Sequence, residues 1–405
     1  MTYQETLDWL FEQLPMYQRV GKAAYKADLS TSIELARALG NPEKDFRGVH
    51  IAGTNGKGST AHYIASILQE SGLKVGLHCS PHYFDFRERI KIDGKKVDEN
   101  FVVDFIRQYQ ELKLEIEPSF FEMTVLMAFE YFKKEKVDIA IIETGMGGRL
   151  DTTNIISPEV SVITNIGLDH TQFLGDTIEK IAIEKGGIIK KNTPIVLGEM
   201  DPSAMEILMT VAEDRDAEVH LSGNYVGKEM SAFQQENIAT AIQTCRVLEE
   251  LDWAITEEDY ARGISCVSEN TNFIGRWQKV SDSPLTILDS AHNVDGIIAV
   301  VETLDKYSYD KVRVVLGMVD DKDINGVLST LPKDAVYYFC KAKIPRAKNE
   351  KALKELALEY DLKGSAYNSV SDAYNFAIQD SSEKDMVLVL GSIFVVGDVL
   401  ENSSS

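Results

Sequence analysis

The sequence predicts an α/β protein of two successive domains, the first a parallel sheet carrying a phosphate loop and the second smaller. Three observations predict it. Apolar, β-branched runs alternate with longer stretches of helical period, the pattern restarts past Ser281–Pro284, and the first strand-to-helix junction is rich in glycine. Gly48–Ala52, Leu73–Cys79, Val137–Glu143, Val160–Asn165 and Pro194–Leu197 read as strands. Ser59–Ser71, Phe121–Lys134, Thr177–Lys190 and Ala204–Ala212 read as helices. Continuously apolar strands separated by helices indicate a parallel sheet covered on both faces. Leu285–Asp289, Val312–Gly317, Ala335–Cys340 and Met386–Leu390 repeat the pattern, so the expected domains are 1–280 and 281–405.

The 405 residues are too many for one ordinary core and suit two or three domains. The opening MTYQETLDWLFEQLP lacks the basic and apolar regions of a signal peptide. No apolar run approaches the roughly 18–20 residues of a membrane helix. Cys79, Cys245, Cys266 and Cys340 are scattered, so neither disulfides nor a structural zinc site is expected and a reducing cytoplasm fits. The tail Asn402–Ser405 is expected to fray. A net charge of −22 repels nucleic acid and anionic membrane. It also repels nucleotides, so any phosphate site must be built locally.

Val49-His50-Ile51-Ala52-Gly53-Thr54-Asn55-Gly56-Lys57-Gly58-Ser59-Thr60 supplies such a site. An apolar strand runs into a glycine-rich turn and then a helix. Glycines let consecutive N–H groups face one anion, and the helix amino terminus adds partial positive charge. Lys57 brings a mobile cation for the β- and γ-phosphates, and Ser59 or Thr60 a hydroxyl for magnesium. A turn that merely needs glycine would not also require Lys and Ser at these places. The loop departs from the common GxxxxGK[ST] pattern, with Ile at position 51 and Gly58 between Lys57 and Ser59. Glu143 ends an apolar strand before a glycine-rich turn, which is where a sheet with a phosphate loop would hold Mg²⁺.

The run Gly53–Ser59 resembles the ATP loop of the folylpolyglutamate synthase branch of the Mur ligase superfamily. Ser80-Pro81-His82, Arg87–Ile90, Glu143–Asp151, Asp169-His170, Glu184–Ile188, Gly275-Arg276-Trp277, Asp289–Asn293 and Asp321-Lys322-Asp323 resemble that family in the same order. Together they span nearly the whole chain. The resemblance implies a P-loop domain of the Mur ligase central type, binding ATP and folate, followed by a Rossmann-like glutamate ligase domain. It implies two Mg²⁺ ions and ATP-dependent joining of L-glutamate to dihydropteroate, to folate (poly)glutamates, or to both. ATP is expected between the domains of a cytoplasmic monomer.

Site residues follow from the same resemblance. Thr54, Asn55, Gly56, Lys57, Gly58, Ser59, Asn237, Arg276 and Asp289 are expected at ATP, Asn237 against the adenine. Ser59, Ser80, Glu143 and His170 are expected as metal ligands, and Lys57, His170, Lys185 and Arg276 as catalytic groups. Lys185, which otherwise reads as a surface lysine, matches the family's carbamylated lysine (N6-carboxylysine). Ser119, Phe120, Phe121, Glu122, Leu150, Asp151 and Thr152 match the pterin-binding segments, with Phe121 the stacking ring and Phe120 equally readable as core. Ser290 stands where the family usually has glycine or a similarly small residue. Two rivals remain: a murein-type ligase with the same chemistry on another acid, and a P-loop switch that hydrolyses nucleotide to move a partner.

Overall fold

A computed structural model describes residues 1–15, 28–227 and 230–403. Its contacts divide into two compact units, Met1–Val226 with Gln234–Phe273, and Gly227–Phe233 with Ile274–Ser405. Ser281 lies inside a strand of the second unit's sheet rather than in a linker.

The first unit holds an eight-stranded sheet. In chain order its strands are β1 (Arg47–Ala52), β2 (Val75–His78), β3 (Ile90–Ile92), β4 (Lys95–Lys96), β5 (Ile139–Glu143), β6 (Val160–Ile163), β7 (Ile195–Leu197) and β8 (Val219–Leu221). In space the order is β4-β3-β2-β5-β1-β6-β7-β8. β1, β2, β5, β6 and β7 are buried along nearly their whole length, as their unbroken apolar sequences require. The helix Lys57–Glu70 covers one face and is buried from Ser59 to Leu68. The helix Phe120–Glu135 belongs to the core on the other face, with Ala140 and Ile142 of β5.

The sheet is not wholly parallel. β2–β3 and β3–β4 pair antiparallel, the second pair joined by a two-residue turn at Asp93-Gly94 with φ of 47° and 71°. Positive φ at both central residues suits the right-handed twist of a hairpin, and Asp-Gly accepts it at little cost. Predicted strand ends were also too long. β6 stops at Ile163: the Thr164 N–H still donates to Ala52 O at 3.0 Å, but its side chain and Asn165 bond the loop after β1.

The second unit carries β9 (Gln278–Asp282), β10 (Leu285–Leu288), β11 (Val312–Leu316), β12 (Val336–Phe339), β13 (Lys363–Ala366) and β14 (Met386–Leu390). Their order is β13-β12-β11-β14-β10-β9, parallel except for β9, which pairs antiparallel at the edge. The final helix runs Ile393–Ser403, and Asn402 Nδ2 donates to Ser371 Oγ at 2.9 Å. Fraying therefore does not begin at Asn402, while Ser404 and Ser405 lie outside the described residues. All four cysteines are free thiols. Among the described residues no helix is long and apolar enough to cross a membrane.

Candidate nucleotide and substrate site

The loop after β1 is shaped by its neighbours. β1 lies between β5 and β6, so the turns following all three strands gather at one edge of the sheet. Gly56 has φ of 80° and caps the helix that starts at Lys57. A side chain there would meet both that strain and Asn237 Oδ1, against which Gly56 packs. The N–H of Thr54 donates to Asn165 O at 3.0 Å, and that of Asn55 to Asn165 Oδ1 at 2.9 Å. Thr164 Oγ1 donates to Asn55 O at 2.6 Å. The turn after β6 thus moulds the loop. With the Thr54 and Asn55 amides so engaged, the anion-facing donors are those at the helix start. Thr60 is the first to bond within the helix, through Gly56 O at 2.9 Å.

Two lysines converge on the loop's first carbonyl. Lys57 Nζ donates to Gly53 O at 3.1 Å and Thr54 O at 3.2 Å. Lys185 Nζ donates to Gly53 O at 2.6 Å, from a side chain only 4% exposed. Lys185 is therefore no surface lysine. Burial, and then the Lys57 cation, push its amine well below the ordinary lysine value, while Asp169 and Asp151 oppose them. The structure thus holds, beside the phosphate loop, an amine whose charged form is disfavoured.

Glu143 is brought to the same place. Its Oε2 accepts the N–H of Ser80 at 3.0 Å and stands 3.6 Å from where a methyl on Gly58 would be. The carboxylate is 4% exposed and Ser59 follows immediately on the helix. A buried carboxylate and a hydroxyl at a phosphate loop are hard oxygen donors that fit Mg²⁺ sharing its shell with phosphate and water. Among the described residues no three His, Cys, Asp or Glu groups gather around one point. His170 caps the short helix Thr171–Leu174 with φ of 51°, its N–H donating to Asp169 Oδ1 at 2.8 Å.

The two segments matched to pterin binding meet in space. Ser119 caps the helix Phe120–Glu135 in a reciprocal pair with Glu122, the Ser119 N–H donating to Glu122 Oε2 at 2.7 Å. Ser32 Oγ donates to Glu122 Oε1 at 2.9 Å and lies 3.3 Å from Thr152 Oγ1. Asp151 Oδ2 accepts the N–H groups of Gly145 and Met146, each at 2.9 Å, and so fixes the glycine-rich turn after β5. Leu150, just before it, is half-buried. Phe120 is core, 3% exposed and stacked on Phe11 with ring centres 5.4 Å apart. Phe121 lies against Gly145 at that turn.

Asn237 lies in the second turn of the helix Ala232–Glu250, so it is not that helix's cap. Its Nδ2 donates to Gln234 Oε1 at 3.2 Å. In the second unit Asp289 accepts the N–H of Trp277 at 2.7 Å and of Ala291 at 2.8 Å. Burial pushes the Asp289 carboxyl up, and the Arg276 charge pulls it down. Ser290 accounts for its own departure from a small residue, since its Oγ donates to Gly275 O at 2.9 Å. The loop holding Arg276 is pinned on both sides. Sequence reasoning missed Ser32, Thr164 and Asn165. For the last two a signal was available, a polar Thr-Asn pair where an apolar parallel strand ends.

So built, the first unit is a phosphate-binding α/β domain of the P-loop kind. Two family models cover the chain: a Mur ligase middle domain over residues 51–253 and a Mur ligase glutamate ligase domain over residues 275–393. The chain is 32% identical to a folylpolyglutamate synthase of Lacticaseibacillus casei over 436 aligned positions, covering 98% of each protein. A solved structure of E. coli FolC in complex with DHPP and ADP superposes with a TM-score of 0.90, covering 100% of this chain and 98% of that one at 29% identity. A bifunctional folylpolyglutamate synthase/dihydrofolate synthase of Yersinia pestis, complexed with AMPPNP and Mn, superposes at 0.84 and 28% identity, covering 100% and 98%. The chain belongs to the folylpolyglutamate synthase/dihydrofolate synthase family of Mur ligases.

Proposed function

We infer that this protein is an ATP-dependent ligase, working in the cytoplasm as a monomer. It joins L-glutamate to dihydropteroate, to reduced folate (poly)glutamates, or to both, and releases ADP and phosphate. The observation that carries this reading is the preformed loop at Gly53–Ser59, with Lys57, Lys185 and Glu143 gathered on it, in a chain of this family. A carboxylate is a poor electrophile, so amide formation needs activation. An oxygen of the acid's carboxylate attacks the γ-phosphorus, the bond to the β,γ-bridging oxygen breaks, and an acyl phosphate and ADP form. The glutamate amine then attacks the acyl carbon, loses a proton and expels phosphate.

The residues act by position and charge. Lys57 and the amides at the helix start hold the β- and γ-phosphates, and Asn237 sits beside the loop for the adenine. Arg276 supplies a planar cation to the phosphoryl group in flight, and Asp289 joins it at the nucleotide. Ser59, Glu143, Ser80 and His170 would hold two Mg²⁺ ions, which supply charge neutralisation when bound. Carbamylation of Lys185 would turn a basic amine beside them into an anion. Phe121 offers its face to the pterin, next to the Ser119–Glu122 and Leu150–Thr152 segments.

Phosphate release measured with dihydropteroate and with tetrahydrofolate, each with and without glutamate, tests the assignment. Release should require both an acid and glutamate. Nucleotide hydrolysis indifferent to all three compounds would instead mark a P-loop switch. Arg276→Lys keeps the charge but loses the planar fork, and should slow single-turnover acyl phosphate formation at saturating ATP by about tenfold or more, ~1.4 kcal/mol. A wild-type rate would make Arg276 a loop residue only.

A further inference from the structure

The Arg87–Ile90 run leaves a charge inside the first unit that the chemistry above does not use. Arg89 ends the 3-10 turn Phe86–Arg89 and is 3% exposed. Its backbone carbonyl is tied into the end of β2, accepting the N–H of Cys79 at 3.2 Å. The neighbouring Glu88 lends it charge at a distance but forms no ion pair with it. That carboxylate accepts the N–H groups of Tyr83 at 2.7 Å and Asp85 at 2.9 Å. Arg89 Nε donates to His82 Nδ1 at 2.7 Å. A ring nitrogen that accepts a hydrogen bond carries no proton, so His82 meets Arg89 as a neutral acceptor and balances no charge. The guanidinium lies 5.2 Å from the ring centre of Phe120. Its Nη1 and Nη2 make no hydrogen bond or ion pair with any described residue, although the Glu143 charge is felt there.

A buried guanidinium with one neutral hydrogen bond and one aromatic face is poorly compensated. Its two remaining nitrogens form a fork whose natural partner is a carboxylate. The place is informative. Phe120 stands between Ser119 and Phe121 in a pterin-matched segment, and Ser80, two residues before His82, donates to Glu143.

We propose that Arg89 is a carboxylate subsite for the acid substrate, its Nη1–Nη2 fork taking a carboxylate that does not react. The proposal rests on the folate-ligase reading given above. The reacting carboxylate becomes an acyl phosphate and surrenders the charge that an arginine would hold, which would leave the guanidinium unpaired in mid-reaction. A spectator carboxylate keeps its charge throughout. The chemistry that fits is the α-carboxylate of a glutamyl residue already on the acid. Arg89 would then let the protein tell a glutamylated folate from dihydropteroate, which has only the reacting carboxylate.

Dissociation constants for tetrahydrofolate and dihydropteroate, measured by fluorescence quenching in the presence of Mg-ADP, test this on the full-length protein. Arg89→Met should weaken tetrahydrofolate by about tenfold or more and leave dihydropteroate within about twofold. Its melting temperature should match or exceed that of the wild type, because an unpaired buried charge has been replaced by an apolar side chain of similar reach. Arg89→Lys, which keeps the charge without the fork, should lose affinity in the same direction by less, and serves if the methionine variant does not fold. Equal weakening of both acids, or of neither, overturns the subsite, and a lower melting temperature with equal affinities makes Arg89 a packing residue. Failure of the wild type to bind either acid would overturn the folate-ligase reading itself.

Discussion

Lys57→Ala is expected to lower ligation turnover by about a hundredfold or more, ~2.7 kcal/mol in barrier, with the fold intact. Lys57 is the one cationic side chain in Gly53–Ser59, and its amine already lies over that loop, on the carbonyls of Gly53 and Thr54. The amine is thus held over the loop, where it can exchange those carbonyl contacts for a phosphate. The variant should not be destabilised. It removes one of two amines competing for Gly53 O, and relieves the repulsion that Lys57 imposes on Lys185. A melting temperature at or above wild type, with turnover lost, is the expected pair of results. Turnover above about a tenth of wild type, a barrier change below ~1.4 kcal/mol, would remove Lys57 from the phosphate site.

The second large effect concerns Lys185. An ammonium fully inside the protein and against another lysine is costly in its protonated form, and the proposed Mg²⁺ ions would add to that cost. A neutral amine can add CO₂, and the resulting carbamate is an anion suited to that neighbourhood. Lys185→Ala should therefore lose most activity, and a short carboxylic acid in solution should restore part of it by entering the vacated space. Electron density for a carboxylate on Nζ, in crystals grown near neutral pH with CO₂ and Mg²⁺, is the independent check. A free ammonium at high occupancy there, or no rescue by any short acid, would end the carbamate reading.

The same burial has a consequence for stability without CO₂. The folded amine has a depressed pKa, so below the ordinary lysine value unfolding takes up a proton. Stability should fall as pH drops from the unfolded value of roughly 10.4 toward the folded one, and level off below it. Lys185→Met should flatten that slope. Chemical denaturation across the alkaline range, comparing the two proteins, measures it, and identical slopes would mean that the buried amine stays protonated.

Much of this protein was determined by sequence alone. Unbroken apolar runs at β1, β5, β6 and β14 can be stable only when both faces of a strand are covered, so the parallel sheets followed from the residues themselves. The phosphate loop followed too, since glycines before a helix that begins with lysine have few other uses. Local chemistry of this kind is written in neighbours along the chain. Tertiary structure decided what depends on residues far apart. A lysine in Ile178–Gly186 has the same composition around it whether it is exposed or buried. Only its packing on Gly53 made it a perturbed amine. Thr164 and Asn165 read as the end of a strand, but the Thr164 side chain and the Asn165 oxygens bond the loop from β1. Ser32 joins Glu122 to Thr152 across distant parts of the chain, and Arg89 lacks an ion pair while the Glu88 carboxylate accepts the Tyr83 and Asp85 amides. In each case the deciding quantity was desolvation or hydrogen-bond competition, which is set by distant parts of the chain and has no local pattern in the sequence.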